Sequence, residues 1–329
     1  MSRPVPDARV AIVIPCYKQA HFLADAIESA LTQSHPASEI VVIDDGSPDD
    51  VAGVTSRYPE VRYIRQRNQG LSAARNTGIR NTSSEYLIFL DSDDRLLPHA
   101  VERGVEHLSA RPDCAFTAGR MHVIDRDGCL MWLWQPYQLE APDFFAQMLI
   151  DHCRIYPLTV MYRRSAIETV GGGFNTSLRS AEDWDMDIRL AQRFGFHLYD
   201  EPIAEYRRHG KNMSLNDITM MTSIVQVLRS QRHLRRHPRY ASARKQGLRR
   251  VQERVGEIFI DQFHTAVHER RWGDALDRLA TIAWWYPYFY VERVKIKSRR
   301  LLARIDGRPR PELEPELAAE PVTTRTPAQ

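Results

Sequence analysis

Short, mostly apolar runs alternate with amphipathic segments over the first 120 residues of the chain. The runs predict β-strands, because they are four or five residues long and are bounded by turn-forming residues. The segments between them repeat apolar positions every three or four residues, which predicts helices. Strands are predicted at residues 10–14, 39–43, 61–65 and 86–90, and helices at 21–33, 71–80 and 98–109. This alternation predicts an α/β fold with a mostly parallel central sheet flanked by helices.

Acidic side chains follow two of the predicted strands. Asp44 and Asp45 come after the second strand, and Asp91, Asp93 and Asp94 come after the fourth. The carboxyl ends of parallel strands meet at one edge of the sheet, where ligands bind, so we expect the two clusters to lie close together. Carboxylates there suit Mg²⁺ or Mn²⁺ bound together with phosphates. The alternative is that Asp91 and Asp94 only end a strand and cap the next helix.

The pattern changes along the rest of the chain. It is irregular after residue 118, and a helical run at 180–193 then precedes strand-like residues 197–199 and 203–206. Residues 216–310 have a mostly helical pattern, and residues 311–329 are rich in Pro, Glu and Thr, a composition typical of disorder. With 329 residues, the chain is long enough for one large domain and a second unit.

Charge is distributed unevenly along a chain whose net charge is only +3. Residues 229–310 hold 21 Lys/Arg against 8 Asp/Glu, or +13; residues 311–329 carry −3, which leaves −7 for residues 1–228. The four cysteines include no Cys-x-x-Cys pair, which argues against a zinc site or a disulfide framework. No run approaches the roughly 20 apolar residues that a membrane span needs, and no signal segment opens the chain. We therefore expect a cytoplasmic protein, either free or peripheral at the inner face of the membrane.

Aromatic and basic side chains are concentrated at residues 282–304. This mixture is typical of a segment that lies at a membrane interface and contacts anionic lipid. A helix that packs on the main domain with a solvated basic face explains it equally well. We do not expect nucleic acid as a partner, because no recognised binding motif is present and the first 228 residues are net acidic.

Six motifs resemble, in their order, those of family 2 glycosyltransferases of the GT-A fold. They are IVIPCY (12–17), VIDDGS (42–47), NQGLSAARN (68–76), LDSDD (90–94), ED (182–183) and YRRH (206–209). The resemblance implies a GT-A-like domain at 9–215, with a nucleotide-binding half (9–120) and an acceptor-binding half (121–215). A lead (1–8), a basic helical extension (216–310) and a disordered tail (311–329) complete the predicted organisation.

The resemblance also implies the reaction. A family 2 enzyme transfers a sugar with inversion from a UDP-, dTDP- or GDP-sugar, and the acceptor here would be a glycan or a lipid-linked molecule of a cell envelope. The Gln-x-x-Arg-Trp motif of processive synthases is missing, which favours single additions. The alternatives are a catalytically silent nucleotide-sugar-binding protein and a sugar nucleotidyltransferase. The latter would need a Gly-rich, Lys-bearing phosphate loop near the N-terminus.

Each candidate residue receives a role from this resemblance and from its chemistry. We expect Asp183 to be the catalytic base, with Glu182 and Trp184 in contact with acceptor or sugar. Asp93 and His209 would bind Mg²⁺ or Mn²⁺. The remaining candidates would bind the donor: Pro15, Tyr17, Asp45, Arg75, Asp91 and Asp94. Among these, Tyr17 would stack on the base, Asp45 would accept a base N–H, and Arg75 would bind the diphosphate or orient Asp91 and Asp93.

Structural explanations stay open for several of these residues. Asp183 lies three residues after Ser180, so the pair approximates a capping box. Asp45 belongs to an Asp-Gly-Ser sequence that is ordinary turn chemistry. Arg75 could be a solvated helix residue. The basic residues around His209, among them Arg207, could form a phosphate clamp or merely a surface loop.

Overall fold

The computed structural model describes residues 8–134, 143–151, 155–209 and 217–285. The predicted tail, residues 1–7 of the predicted lead and residues 286–304 of the aromatic and basic segment lie outside the described residues. In the described part, the strands are β1 (Val10–Cys16), β2 (Glu39–Asp44), β3 (Arg62–Arg65), β4 (Tyr86–Phe89), β5 (Arg95–Leu96), β6 (Cys114–Ile124), β7 (Leu130–Trp134), β8 (Val160–Arg163) and β9 (Gly195–Arg207).

The helices of the described part flank this sheet or follow it along the chain. They are α1 (Ala20–Leu31), α2 (Val51–Thr55), α3 (Leu71–Arg80), α4 (Ala100–Ser109), α5 (Phe144–Ile150), α6 (Arg164–Thr169), α7 (Glu182–Ala191), α8 (Asp217–Ser230), α9 (Pro238–His268) and α10 (Trp272–Trp285). Short 3-10 helices occupy Pro157–Thr159 and Gln231–Arg236. No helix of the described residues is long and apolar enough to cross a membrane.

The strands form one sheet in the order β3-β2-β1-β4-β8-β6-β9-β5, and β7 pairs with β6. The first four strands along this order are all parallel. In the second half, β8 is antiparallel to both β4 and β6, whereas β9 is parallel to β6. The predicted α/β class is therefore confirmed, with a sheet that is parallel in its first half and mixed in its second.

The core lies on both faces of the parallel half of the sheet. All seven residues of β1 are buried, because a strand covered on both faces needs continuous apolar side chains. Ile12 and Ile14 belong to one core cluster with Leu23 and Ile27 of α1. The packed helix and strands fix the position at which each strand ends, and therefore the positions of the polar residues that follow.

The chain divides into two compact units, residues 1–251 and 252–329. The first unit includes α8 and the first part of α9, so it extends past the domain boundary that the sequence suggested at residue 215. Contacts explain this extension: Ser180 bonds to Ser223 of α8, and Arg239 of α9 pairs with Asp143, with 2.6 Å between Nε and Oδ2. The predicted boundaries themselves stay predictions.

Candidate active site

The strand ends bring the two acidic clusters to the same edge of the sheet. In β1 and β2, Cys16 lies opposite Asp44, and β4 runs beside β1 with Phe89 opposite Val13. Because these strands are parallel and in register, the residues that follow each of them emerge at one edge. Asp45 and the Asp91 cluster therefore leave the sheet on the same side.

Arg75 connects this edge to the start of α7. It lies on α3 with no solvent exposure. Its Nη2 donates to Asp91 Oδ1 at 2.8 Å, and its Nη1 donates to Glu182 Oε1 at 2.7 Å. The side chain is thus the buried partner of two carboxylates, Asp91 and Glu182, and its predicted role at the donor stays a prediction. The alternative of a solvated helix arginine does not apply.

The start of α7 differs from a capped helix. Ala181, before the first helical residue, has φ 56° in the left-handed region, where residues other than glycine are strained. Ser180 does not cap the helix, because its hydroxyl bonds to Ser223 Oγ at 3.1 Å. Asp183 Oδ1 accepts from the Trp184 backbone N–H at 2.8 Å. The strained turn therefore presents Glu182 and Asp183 together, and no capping box forms.

Burial shifts the protonation of both acids at this helix start. Burial raises the pKa of Glu182 to about 7, although Arg75 opposes the shift. Burial also raises the pKa of Asp183, again against the attraction of Arg75, with a further contribution from nearby Asp91. A carboxylate with a raised pKa is a stronger proton acceptor than a solvated one. The environment of Asp183 therefore suits general-base chemistry.

Trp184 is buried, and its predicted contact with acceptor or sugar stays a prediction. Its indole Nε1 donates to the Met148 carbonyl of α5 at 3.0 Å. It also lies one turn before Ile188, which is fully buried. Trp184 therefore joins α7 to α5 within the core.

Asp93 and His209 lie together, as expected for a shared site. His209 Nε2 is 2.8 Å from Asp93 Oδ2, and Gln19 Nε2 donates to the same oxygen at 3.0 Å. Ser92 Oγ donates to Gln19 Oε1 at 3.0 Å, so the amide of Gln19 is itself held. Burial raises the pKa of Asp93, nearby Asp91 adds to this rise, and His209 opposes it.

Asp94 points into the protein. It is buried, and its Oδ1 accepts from the Arg207 backbone N–H at 2.8 Å. The Arg207 side chain is buried as well, and it donates to the Asp93 carbonyl at 2.9 Å and to Asp25 at 2.6 Å. These contacts tie β9 to the acidic cluster. The predicted sugar contact of Asp94 and a phosphate clamp that includes Arg207 stay predictions.

Asp45 holds the loop that leads into α3. Its Oδ1 accepts from Gln66 Nε2 at 2.7 Å and from the Gln69 N–H at 2.9 Å, and its Oδ2 accepts from the Gly70 N–H at 2.8 Å. Gly70 has φ 90°, which glycine adopts readily. The predicted contact with a nucleotide base stays a prediction, and the geometry adds a structural role for Asp45.

Pro15 and Tyr17 lie at the end of β1. Pro15 is buried in the strand opposite Ile43, whereas Tyr17 follows the strand and is 42% exposed. The Lys18 ammonium lies 5.0 Å from the centroid of the tyrosine ring. Tyr17 is therefore accessible at the edge of the sheet, and the predicted donor contacts of Tyr17 and Pro15 stay predictions.

The part of the chain that the structure describes supplies two candidate side chains for a metal. Among the described residues, no group of three His, Cys, Asp or Glu side chains is placed to hold a metal ion. Asp93 and His209 supply an oxygen and a nitrogen donor side by side. Magnesium and manganese sites commonly use one or two protein carboxylates and take their other ligands from phosphates and water. The residues present fit such a site.

Sequence reasoning missed Gln19 and the role of Arg207. Gln19 comes three residues after β1, and the loop reaches Asp93 because Lys18 has φ 60°. A left-handed lysine leaves no signal in the sequence, so the position of Gln19 could not be read from it. Arg207 had one usable signal, since it directly follows the strand-like run 203–206, where a continuing strand would bury it.

Comparison with known proteins identifies the family. The model of glycosyl transferase family 2 matches residues 11–171. These 161 of the 329 residues belong to this family. It is 31% identical over 220 residues to chondroitin synthase of Escherichia coli, an alignment that covers 64% of this chain and 30% of that protein. The putative teichuronic acid biosynthesis glycosyltransferase TuaG of Bacillus subtilis is 29% identical over 217 residues, which cover 63% of this chain and 82% of that protein.

Among solved structures, the family fold is matched by the mannosyltransferase PcManGT of Pyrobaculum calidifontis, in complex with GDP-Man and Mn²⁺. The TM-score is 0.59 at 16% identity, over 92% of this chain and 88% of that chain. This likeness confirms the predicted GT-A-like fold. The chain spans about a third of the length of several curated relatives that it matches, among them proteins of Escherichia coli and Rickettsia felis.

Proposed function

We propose that this family 2 member transfers a sugar, with inversion, from a nucleotide diphosphate sugar to an acceptor hydroxyl. The observation that carries the proposal is the bridge made by Arg75. One buried guanidinium holds both Asp91, at the sheet edge, and Glu182, next to the proposed base Asp183. Acids on the proposed donor side and on the proposed acceptor side are thus held in one ionic network. A direct displacement needs its reacting groups in a fixed geometry, and such a network supports that geometry.

Asp183 is the proposed general base. In a displacement with inversion, the acceptor hydroxyl loses its proton as its oxygen attacks the anomeric carbon. The raised pKa of Asp183 improves its capacity to take that proton. The backbone N–H of Trp184 fixes one oxygen of the carboxylate, which leaves the other for the acceptor hydroxyl.

The donor would lie along the edge where β1, β2 and β4 end. Tyr17 would stack on the base, and the loop held by Asp45 would line its edge. Arg75 is occupied by two carboxylates, so we assign it to orienting Asp91 and not to binding the diphosphate. The base of the nucleotide, UDP, dTDP or GDP, is left to experiment.

Mg²⁺ or Mn²⁺ would be held by Asp93 and His209. When bound, the metal would neutralise the charge of the departing diphosphate. Support comes from the crowding of Asp91, Asp93 and Asp94, since burial and mutual repulsion raise the pKa of Asp93 and Asp94. Gln19 keeps one oxygen of Asp93 oriented toward His209.

The acceptor class follows from the names of relatives. Chondroitin synthase and a putative teichuronic acid glycosyltransferase both build surface polysaccharides by name. We therefore propose a glycan or lipid-linked acceptor of the cell envelope. The expected cytoplasmic location, free or peripheral at a membrane, stays a prediction.

A thermal-shift panel tests donor binding, and a matched pair of variants tests catalysis. A true donor at 100 times its Kd should add about 2.7 kcal/mol of stability, and Mn²⁺ should be required for the full shift. Asp183→Asn should lower the transfer rate by about 100- to 10,000-fold while donor stabilisation is kept. Asp113→Asn, a change of the same chemistry at an exposed position, should transfer at the wild-type rate.

Two results would contradict the proposal in different ways. Wild-type turnover by Asp183→Asn would remove Asp183 as the base and leave the enzyme class standing. Donor binding without transfer or donor hydrolysis by the wild type, across glycan and lipid-linked acceptors, would indicate a silent binding protein.

A further inference from the structure

A strongly basic surface lies on the helical part of the first unit. Between Asp217 and Glu253 the chain has no acidic residue. It has nine basic residues there: Arg229, Arg232, Arg235, Arg236, Arg239, Arg244, Lys245, Arg249 and Arg250. They lie at the end of α8, in the 3-10 helix Gln231–Arg236 and in the first part of α9, and all except Arg244 are exposed. We call this set the basic surface.

Most of this charge is not balanced by neighbouring carboxylates. Arg239 pairs with Asp143 at 2.6 Å, and Arg250 lies 3.9 Å from Asp151. Four others, Arg232, Arg235, Arg236 and Lys245, make no ion pair with any residue that the structure describes. Like charges repel when they are crowded, so an arrangement of this kind is stabilised by an external anion.

Arg244 marks the centre of the unbalanced charge. It is only 8% exposed, its Nη1 donates to the Leu228 carbonyl at 3.3 Å, and its Nε has no hydrogen-bond partner in the described part of the chain. Burial lowers its pKa, and nearby Arg235 and Arg232 lower it further. Buried charges in proteins are normally paired, and three arginines without a carboxylate point to a missing anion.

We propose that the basic surface docks on the phosphate headgroups of an anionic lipid bilayer. A bilayer is favoured over a nucleic acid by a second exposed feature of the same chain. On α10, Trp272 and Leu276 are 62% and 66% exposed, and Leu279 continues the same helical face. An apolar helical face can enter the boundary between headgroups and acyl chains, whereas a nucleic acid offers it no apolar phase.

This surface differs from residues 282–304, which the sequence marked as a candidate membrane segment. The proposal does not depend on glycosyl transfer, so it stands or fails separately from the proposed function. Each cation near an anionic bilayer contributes to binding, and its loss is expected to weaken partitioning roughly five-fold. Removing three unpaired cations should therefore weaken it about 100-fold.

Vesicle sedimentation with the full chain tests the proposal. Wild type should pellet with vesicles of phosphatidylcholine and phosphatidylglycerol and should stay in solution with phosphatidylcholine alone. High salt should release it, because exposed charges are screened. The triple variant Arg232→Gln, Arg235→Gln, Lys245→Gln should lose binding about 100-fold. The control Arg57→Gln, Arg62→Gln, Arg80→Gln removes the same charge from exposed positions elsewhere and should bind as wild type.

Several outcomes would overturn the proposal. Equal pelleting of the triple variant and its control would show that the basic surface does not bind the vesicles. Equal binding of wild type to both vesicle types would show that anionic lipid is not required. Binding to a DNA duplex at matched phosphate concentration, without binding to vesicles, would assign the surface to nucleic acid. Stabilisation by inorganic phosphate without vesicle binding would reduce the surface to a small-anion site. The vesicle and salt comparisons use wild type alone, so they hold even if the triple variant does not fold.

Discussion

The buried arginines of the molecule differ in their partners. Arg75 and Arg207 are of one kind, and Arg244 is of another. Arg75 bonds to Asp91 and Glu182, and Arg207 bonds to Asp25 and to backbone carbonyls. Among the described residues, Arg244 has one long bond to a carbonyl and two neighbouring arginines. An unsatisfied Nε does not separate them, since Arg75 has one too. What separates these arginines is whether a carboxylate of the described residues bonds to them.

The difference separates internal support from an external interface. A cation whose carboxylates come from the same chain fixes the geometry of that chain, and Arg75 fixes the proposed active site in this way. A cation without an internal carboxylate leaves its charge available to an external anion. Buried arginines alone therefore do not identify a binding surface, and their partners must be compared.

The largest expected effect comes from removing an internally balanced arginine. Arg75→Met would leave the buried Glu182 and the partly exposed Asp91 without their cation, and this should lower the free energy of unfolding by about 3–5 kcal/mol. Urea unfolding measures the change. Arg62→Met, at an exposed position on β3, serves as the control and should change it by less than about 0.5 kcal/mol. If Arg75→Met lowers the free energy of unfolding no more than the control does, Arg75 is not an internal support and the contrast with Arg244 fails.

The pH dependence of stability tests how Glu182 is balanced. Its pKa is raised from an ordinary value of 4.5 to about 7, so the folded protein keeps a proton that the unfolded chain releases between these values. Glu182 therefore contributes stability below pH 4.5 that is lost as the pH rises to 7. The shift corresponds to a loss on the order of 3 kcal/mol.

Glu182→Gln removes this titration without changing the shape of the side chain. Urea unfolding of both proteins over the same pH series should give free energies whose difference changes across the window. Parallel curves would show that Arg75 already compensates the buried carboxylate fully.

A smaller effect is expected at Gln19, which orients the proposed metal ligand Asp93. Gln19→Ala should weaken Mn²⁺ binding about 10-fold, because partners that orient metal ligands typically contribute that much. Calorimetric titration of Mn²⁺ in the presence of a nucleoside diphosphate measures it. Gln246→Ala, at an exposed position of α9, should bind Mn²⁺ as wild type does. An unchanged affinity in Gln19→Ala would argue that Asp93 needs no support.

The smallest effect is expected at Arg244. Arg244→Met removes a buried charge that no carboxylate balances, so relief of repulsion offsets the lost packing of the side chain. The free energy of unfolding should change by less than about 1 kcal/mol. A loss as large as that of Arg75→Met would show that Arg244 is an internal support, and it would remove the distinction drawn above.

The sequence predicted the parallel half of the fold well. Runs such as residues 10–14 and 86–90 are continuous and apolar because both faces of these strands are covered. It did not predict β5, which has two residues, or the insertion of β8 between β4 and β6. Both depend on pairing between distant segments, which leaves no local pattern.

Within the candidate site, the sequence located the charged residues better than their orientation. Asp91, Asp93 and His209 lie at the edge where a strand-end pattern put them. Asp94 and Trp184 turned out to point into the protein, because burial depends on neighbours such as Arg207 and Met148. Trp184 did carry a warning, since its spacing from the buried Ile188 is that of a core-facing helical position.

Helix α3 has one consequence of its own. At the start of α3, the Asp45 carboxylate accepts hydrogen bonds from the backbone N–H groups of Gln69 and Gly70. About 7.5 Å further along the helix axis, Arg75 bonds to the acids of the proposed reaction centre. Helix α3 therefore links the proposed nucleoside site rigidly to the proposed site of bond breaking. A substitution at Gly70 should therefore impair the proposed sugar transfer, although Gly70 itself does not contact the sugar.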